Sequence, residues 1–210
     1  MKEPIKVWDI AVRVFHWSLV TSFFIAYLSG DDAGLLHIYS GYAIVGLLAF
    51  RVVWGIIGTK YARFTNFVTG IKPVLSYLKS ILAGKPQHYL GHNPAGGLMI
   101  VLLLIFLSLT SWTGLELYAL EGKGPLANIQ LDIHAISPAH AKSRGRDDDD
   151  RYAHDNERGH DWLEELHEAI ANFTLLLVFI HIAGVIVSGW LHRENLVKAM
   201  WTGYKTPPEE

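Results

Sequence analysis

The chain contains no cysteine. Disulfides, cysteine-ligated zinc and iron–sulfur clusters are therefore excluded. Charge is also sparse: Asp, Glu, Lys and Arg make up 18% of the 210 residues, against about 25% in ordinary soluble domains. No internal repeat, nucleophile triad, phosphate loop or basic nucleic-acid surface is present. The first ten residues carry Lys2, Glu3, Lys6 and Asp9, and no small-residue cleavage site follows the first apolar run. A removed signal peptide is not expected. What the chain has in abundance is apolarity, since half of its residues are hydrophobic.

That apolarity is concentrated in four segments, each near the twenty residues needed to cross a bilayer. They run over about 12–29, 35–58, 94–118 and 163–191. Asn93 followed by Pro94 marks the start of the third, as an N-cap and a first-turn proline. Asp161 and Glu164 have capping-box spacing ahead of the fourth. Trp8, Trp17, Trp54, Trp112, Trp162 and Trp190 fall near span ends, as an interfacial belt would. Residues 73–83 have apolar positions at helical spacing and read as an amphipathic surface helix. The predicted fold class is an all-α transmembrane four-helix bundle with this short helix added, in a single domain.

Lysine and arginine give a direction. The 59–93 connection carries Lys60, Arg63, Lys72, Lys79 and Lys85 and no acid, whereas 116–165 carries twelve acids against six bases. By the positive-inside rule the basic connection and both termini face the cytoplasm. The outward polar loop spans about 119–161, and its stretch 137–160 is expected to lack fixed structure.

Four histidines lie in the apolar part, and their depths match in pairs. His16 falls near the start of the first span, His37 near the start of the second, and His167 and His181 lie fourteen residues apart in the fourth. An intramembrane histidine is a functional-site hypothesis by default. At about 1.5 Å rise per residue, His181 sits roughly 21 Å from His167 along the helix. With alternating helix directions, His37 and His167 share the outer level, and His16 and His181 the inner one. Two bis-histidine haems stacked in a bundle core fit this pattern. Without cysteine they would be held non-covalently. Gly41 shares a face with His37 and Gly184 follows His181 by three residues, so either leaves room for a porphyrin or for close helix packing. Arg13 and Arg51 lie at the inner level, where they suit propionates or snorkel to lipid phosphate.

At these motifs the chain resembles the prokaryotic cytochrome b561 family, which includes the b-type cytochrome subunits of membrane NiFe-hydrogenases. The resemblance rests on VWDIAVRVFHW at 7–17, LLHIYSGYAIVG around His37, RVVWGIIG from Arg51, YLGHNPAGG at 89–97, and WLEELHEAIANF with His181 downstream. It implies that His16, His37, His167 and His181 bind two b haems. It also implies electron transfer between the quinone pool and a periplasmic partner, a c-type cytochrome or a hydrogenase-like protein, with a bound quinone as a further ligand. The implied location is the bacterial inner membrane. A stand-alone superoxide:quinone oxidoreductase of the same fold is the alternative. A haem-free structural membrane protein is the second. The 120–160 loop departs from a minimal member in length and charge.

Three further groups stand out. Asp147 to Asp150 with His134, His140, His154 and His160 contain suitable metal ligands at no familiar spacing; a solvated surface, or one that steers a basic partner, fits as well. His88 and His92 flank YLGHNP and read as capping or surface residues, with a quinone role as the alternative. Glu168, beside His167, reads as a group that orients the outer haem.

Overall fold

The computed structural model describes residues 3–31, 34–84, 87–127 and 148–205, with 148–159 as backbone only. The chain is mostly helical. Strand β1 (Ile5–Lys6) leads into α1 (Ile10–Leu28), α2 (Leu35–Ile57), α3 (Ile71–Leu82), α4 (Pro94–Leu120), α5 (Asp148–His192), α6 (Leu196–Thr202) and β2 (Tyr204–Lys205). Helices α1, α2, α4 and the 160–192 part of α5 are long and apolar enough to cross a bilayer. Their outer faces expose Leu28, Leu36, Val53, Ile56 and Trp190, the surface that lipid would cover.

Local chemistry explains where these helices begin. The Asp9 side chain accepts from Val12 N at 2.8 Å and caps α1. Asn93 Oδ1 accepts from Gly96 N at 2.7 Å, with Pro94 at the first helical position of α4, as the sequence predicts. Helix α3 buries Val74 and Tyr77 and exposes Ile71, Leu75, Leu78 and Leu82. It thus has a protein-facing stripe and an apolar outer stripe suited to an interfacial position.

The fourth span differs from expectation. Helix α5 already covers Asp148 onward, so Asp161 and Glu164 lie inside it and form no capping box. The stretch from 148 onward is helix rather than the predicted irregular loop.

The helices pack in the order α1 on α2, α2 on α4 and α4 on α5. Phe23, Ile44, Leu48 and Leu107 form the mid-bundle core, joined by Leu175 and Val178 of α5. Helix α5 lies along α4 but meets α1 and α2 chiefly through side chains. One such contact is Tyr27 Oη donating to Asn172 Oδ1 at 2.6 Å.

One end of the bundle, here the base, gathers the β1–β2 pair, α3 and α6; the opposite end is the head. At the base, Ile5 pairs with Lys205 and Lys6 with Tyr204, and Val7 and Trp8 donate to the Gly203 carbonyl at 2.9 and 3.0 Å. Gly203 ends α6 at φ 90°, and a Cβ there would meet the Trp8 carbonyl at 2.6 Å. The turn therefore requires glycine. Trp8 is 6% exposed and packs with Val7 and Ala199. It is a core residue of the base, not a belt residue.

Candidate functional site

At the head, His37 opens α2 and faces His167 of α5, with ring centres 6.1 Å apart and ring planes at 77°. The Nδ1–H of His37 donates to the Ala26 carbonyl of α1 at 2.8 Å. That of His167 donates to Thr113 Oγ1 of α4 at 2.9 Å. Thr113 in turn donates to the backbone of its own helix, at the Leu109 and Thr110 carbonyls. Both Nδ1 atoms are thus occupied, which turns each Nε2 toward the role of ligand. Gly114 lets this happen: a Cβ there would stand 3.0 Å from His167 Cε1.

An imidazole–metal bond is about 2 Å long, so two imidazoles on opposite sides of one metal have ring centres about 6 Å apart. The head pair has that spacing. Among the described residues no group of three or more His, Cys, Asp or Glu side chains converges. Two ligands without a third do not suit a tetrahedral zinc site. They suit an iron whose four equatorial positions come from a porphyrin.

At the base, His16 of α1 lies within reach of the charge of His181 on α5. His16 Nδ1 is buried without a hydrogen-bond partner, and its ring meets Trp17 edge-on at 5.2 Å. Arg51 of α2 is only 4% exposed. Its guanidinium lies over Phe64 at 4.8 Å and Phe67 at 5.6 Å, and Nη1 has no partner. Arg51 is therefore not snorkelling to lipid. Arg13 donates to the Trp201 carbonyl, tying α1 to α6, while its Nε stays unpartnered. A Cβ at Gly41 or Gly184 would meet no protein atom. These unpartnered donors and open faces fit a bound anionic cofactor.

The base also holds an ion network. Glu194 accepts from His88 Nε2 at 2.7 Å and pairs with Lys205 Nζ at 3.1 Å, and Lys205 donates onward to the Tyr89 carbonyl. Burial acts to raise the Glu194 carboxyl, but His88 and Lys205 outweigh it and hold it below the ordinary carboxylate value. Asp9 behaves alike: burial is overcome by hydrogen bonds from Thr59, Val12, Trp54 and Ala11. His92 lies between Trp8 at 4.4 Å and Phe67 at 4.8 Å. Burial, then the charges of Arg51, Lys205 and His181, push its imidazole down to about 3. His88 and His92 are thus not the surface residues their loop position implies.

Of the sequence-derived residues, His37 and His167 meet directly, and His16, His181 and Arg51 gather at the base. Glu168 is exposed, so the partner that orients His167 is Thr113 instead. Its signal is the Thr113-Gly114 step inside an apolar helix, legible only once α4 is known to face His167. Glu116 Oε1 is buried without a partner one turn from Thr113. Asp147, His134 and His140, and the side chains of Asp148 to Asp150 and His154, lie outside the described residues. His160 lies 3.8 Å from Glu164 on the same helix.

The family model for prokaryotic cytochrome b561 matches residues 7–203, nearly the whole chain. No curated protein and no solved structure matches it. Family and helices agree on a multi-pass membrane protein of a family that binds b-type haem. The chain belongs to the prokaryotic cytochrome b561 family, as a membrane b-type cytochrome of electron transfer.

Proposed function

We propose that this cytochrome holds two b haems, one between His37 and His167 at the head and one between His16 and His181 at the base. We propose further that it passes electrons between the quinone pool and a periplasmic redox protein, a c-type cytochrome or a hydrogenase-like partner. The observation that carries this reading is the head pair, with its 6.1 Å ring spacing and both Nδ1 atoms engaged elsewhere. When bound, haem supplies a one-electron couple tuned by its axial ligands and surroundings.

The protein's own part is positional. Ala26 and Thr113 present the two head imidazoles, and Gly41 and Gly184 keep helix faces open. Arg51 and Arg13 each offer positive charge to cofactor carboxylates at the base. The rise along α5 separates the two ligand levels by roughly 21 Å, which covers most of a hydrocarbon core about 30 Å thick. Lys60, Arg63, Lys72 and Lys79 support a base on the cytoplasmic side of the inner membrane. The acidic 116–165 stretch then lies outside, where it steers a basic partner.

Haem per protein, measured on the purified chain, tests this reading. Two b haems are expected. His37→Ala and His167→Ala should each lose the same spectral component, and His16→Ala and His181→Ala the other. Loss of one component by both His16→Ala and His167→Ala overturns the pairing. Colourless wild-type protein overturns the haem assignment.

A further inference from the structure

Arg51 and His92 share a wall, and each buries a side-chain nitrogen without a partner. Both pack on the Phe67 ring, Arg51 at 5.6 Å and His92 at 4.8 Å. Arg51 Nη1 and His92 Nδ1 are both shielded from solvent and unpartnered. The charge of Arg51 reaches His92, as do those of Lys205 and His181. Asp9 is the acid whose charge reaches Arg51. Its oxygens are already engaged, Oδ1 by Val12 N and Oδ2 by Trp54 Nε1 and Thr59 Oγ1. Lys205 is committed to Glu194.

A buried guanidinium without an anion is strongly unfavourable. A guanidinium fork matches a carboxylate, and a neutral imidazole donates through one ring nitrogen without being charged. The rings of Trp8 and Phe67 both pack on the His92 imidazole, so its orientation is set by packing.

We propose that Arg51 and His92 form a carboxylate cradle for the base haem, with His92 Nδ1–H donating to the same propionate that Arg51 neutralises. The proposal rests on the base-haem reading above. It makes His92 a positioning residue, on the loop before α4, for a cofactor whose ligands lie on α1 and α5. It also explains why the 87–93 loop is pinned at both ends, by His88 on Glu194 and by Asn93 capping α4.

Transfer of haem from the purified holoprotein to excess apomyoglobin reads the cradle directly. The base phase is identified from His167→Ala protein. His92→Phe keeps the aromatic slot but removes the donor, and His92→Gln restores one. A lost hydrogen bond to a charged group corresponds to about tenfold faster release or more. The expected result is at least that acceleration of the base phase in His92→Phe, near-normal release in His92→Gln, and an unchanged head phase. Arg51→Gln, checked for folding by circular dichroism, should accelerate the same phase. Unchanged base release in His92→Phe overturns the cradle while both haems still stand. A wild type without base haem overturns the cradle and the underlying reading together. If the variants instead lose bound phospholipid, measured as phosphorus per protein, with haem release unaltered, the anion is a lipid headgroup and the cradle is overturned.

Discussion

The Thr113 hydroxyl accepts the His167 Nδ1 proton while donating to its own helix, so a single side chain fixes both the tautomer and the rotation of that imidazole. Thr113→Val keeps the shape and removes the acceptor. Outer partners of metal-binding histidines are worth about 10–100-fold in affinity. Head haem should therefore be retained that much more weakly, with base haem unaffected, and Thr113→Ser should restore it. Titrating haem against protein and following the reduced-minus-oxidised spectrum checks this; equal loss of both haems would contradict it. Glu168, adjacent to His167 in sequence, is exposed, and Glu168→Gln should leave both spectra unchanged. Neighbours along a helix point different ways, so adjacency in sequence misled where packing across helices decides.

Helix caps and turns belong to the next scale. Gly203 adopts φ 90° against the Trp8 carbonyl, a conformation that costs an L-residue about 1–2 kcal/mol. Gly203→Ala should lower stability by at least that amount and loosen the β1–β2 closure, read as a lower midpoint for thermal unfolding in detergent. Asn93→Ala removes the α4 cap, at a typical cost of about 1 kcal/mol. The Asn93-Pro94 cap and the extent of α3 were legible because they depend on neighbours within one turn. The 148–160 stretch of α5 was not: it has no apolar stripe, and periodicity is blind to a helix without one.

For the whole molecule, orientation and acid stability follow from charge. The absence of cysteine makes single-cysteine labelling clean. Lys79→Cys in intact cells should resist a membrane-impermeant maleimide, whereas Asp155→Cys should react; the opposite pattern would invert the assigned topology. The Glu194 carboxyl is held below its ordinary value of 4.5. The unfolded chain therefore binds its proton first as pH falls. The stabilisation is complete above about pH 4.5 and drains away as pH drops through the lower folded value. Unfolding midpoints at descending pH should fall more steeply in the wild type than in Glu194→Gln, which has no carboxyl to titrate.

The sequence by itself determined the number of spans, their alternation and the levels of the four histidines. Those follow from apolar run length, loop charge and a constant rise per residue. Only the tertiary structure decided what stands beside each imidazole. Lateral neighbours depend on how each helix is rotated and which helices touch, and neither is written in one segment alone. Thr113 and Gly114 serve His167 because α4 packs along α5. His92 and Arg51 share the Phe67 ring because the base folds Trp8, the 59–93 connection and α2 together.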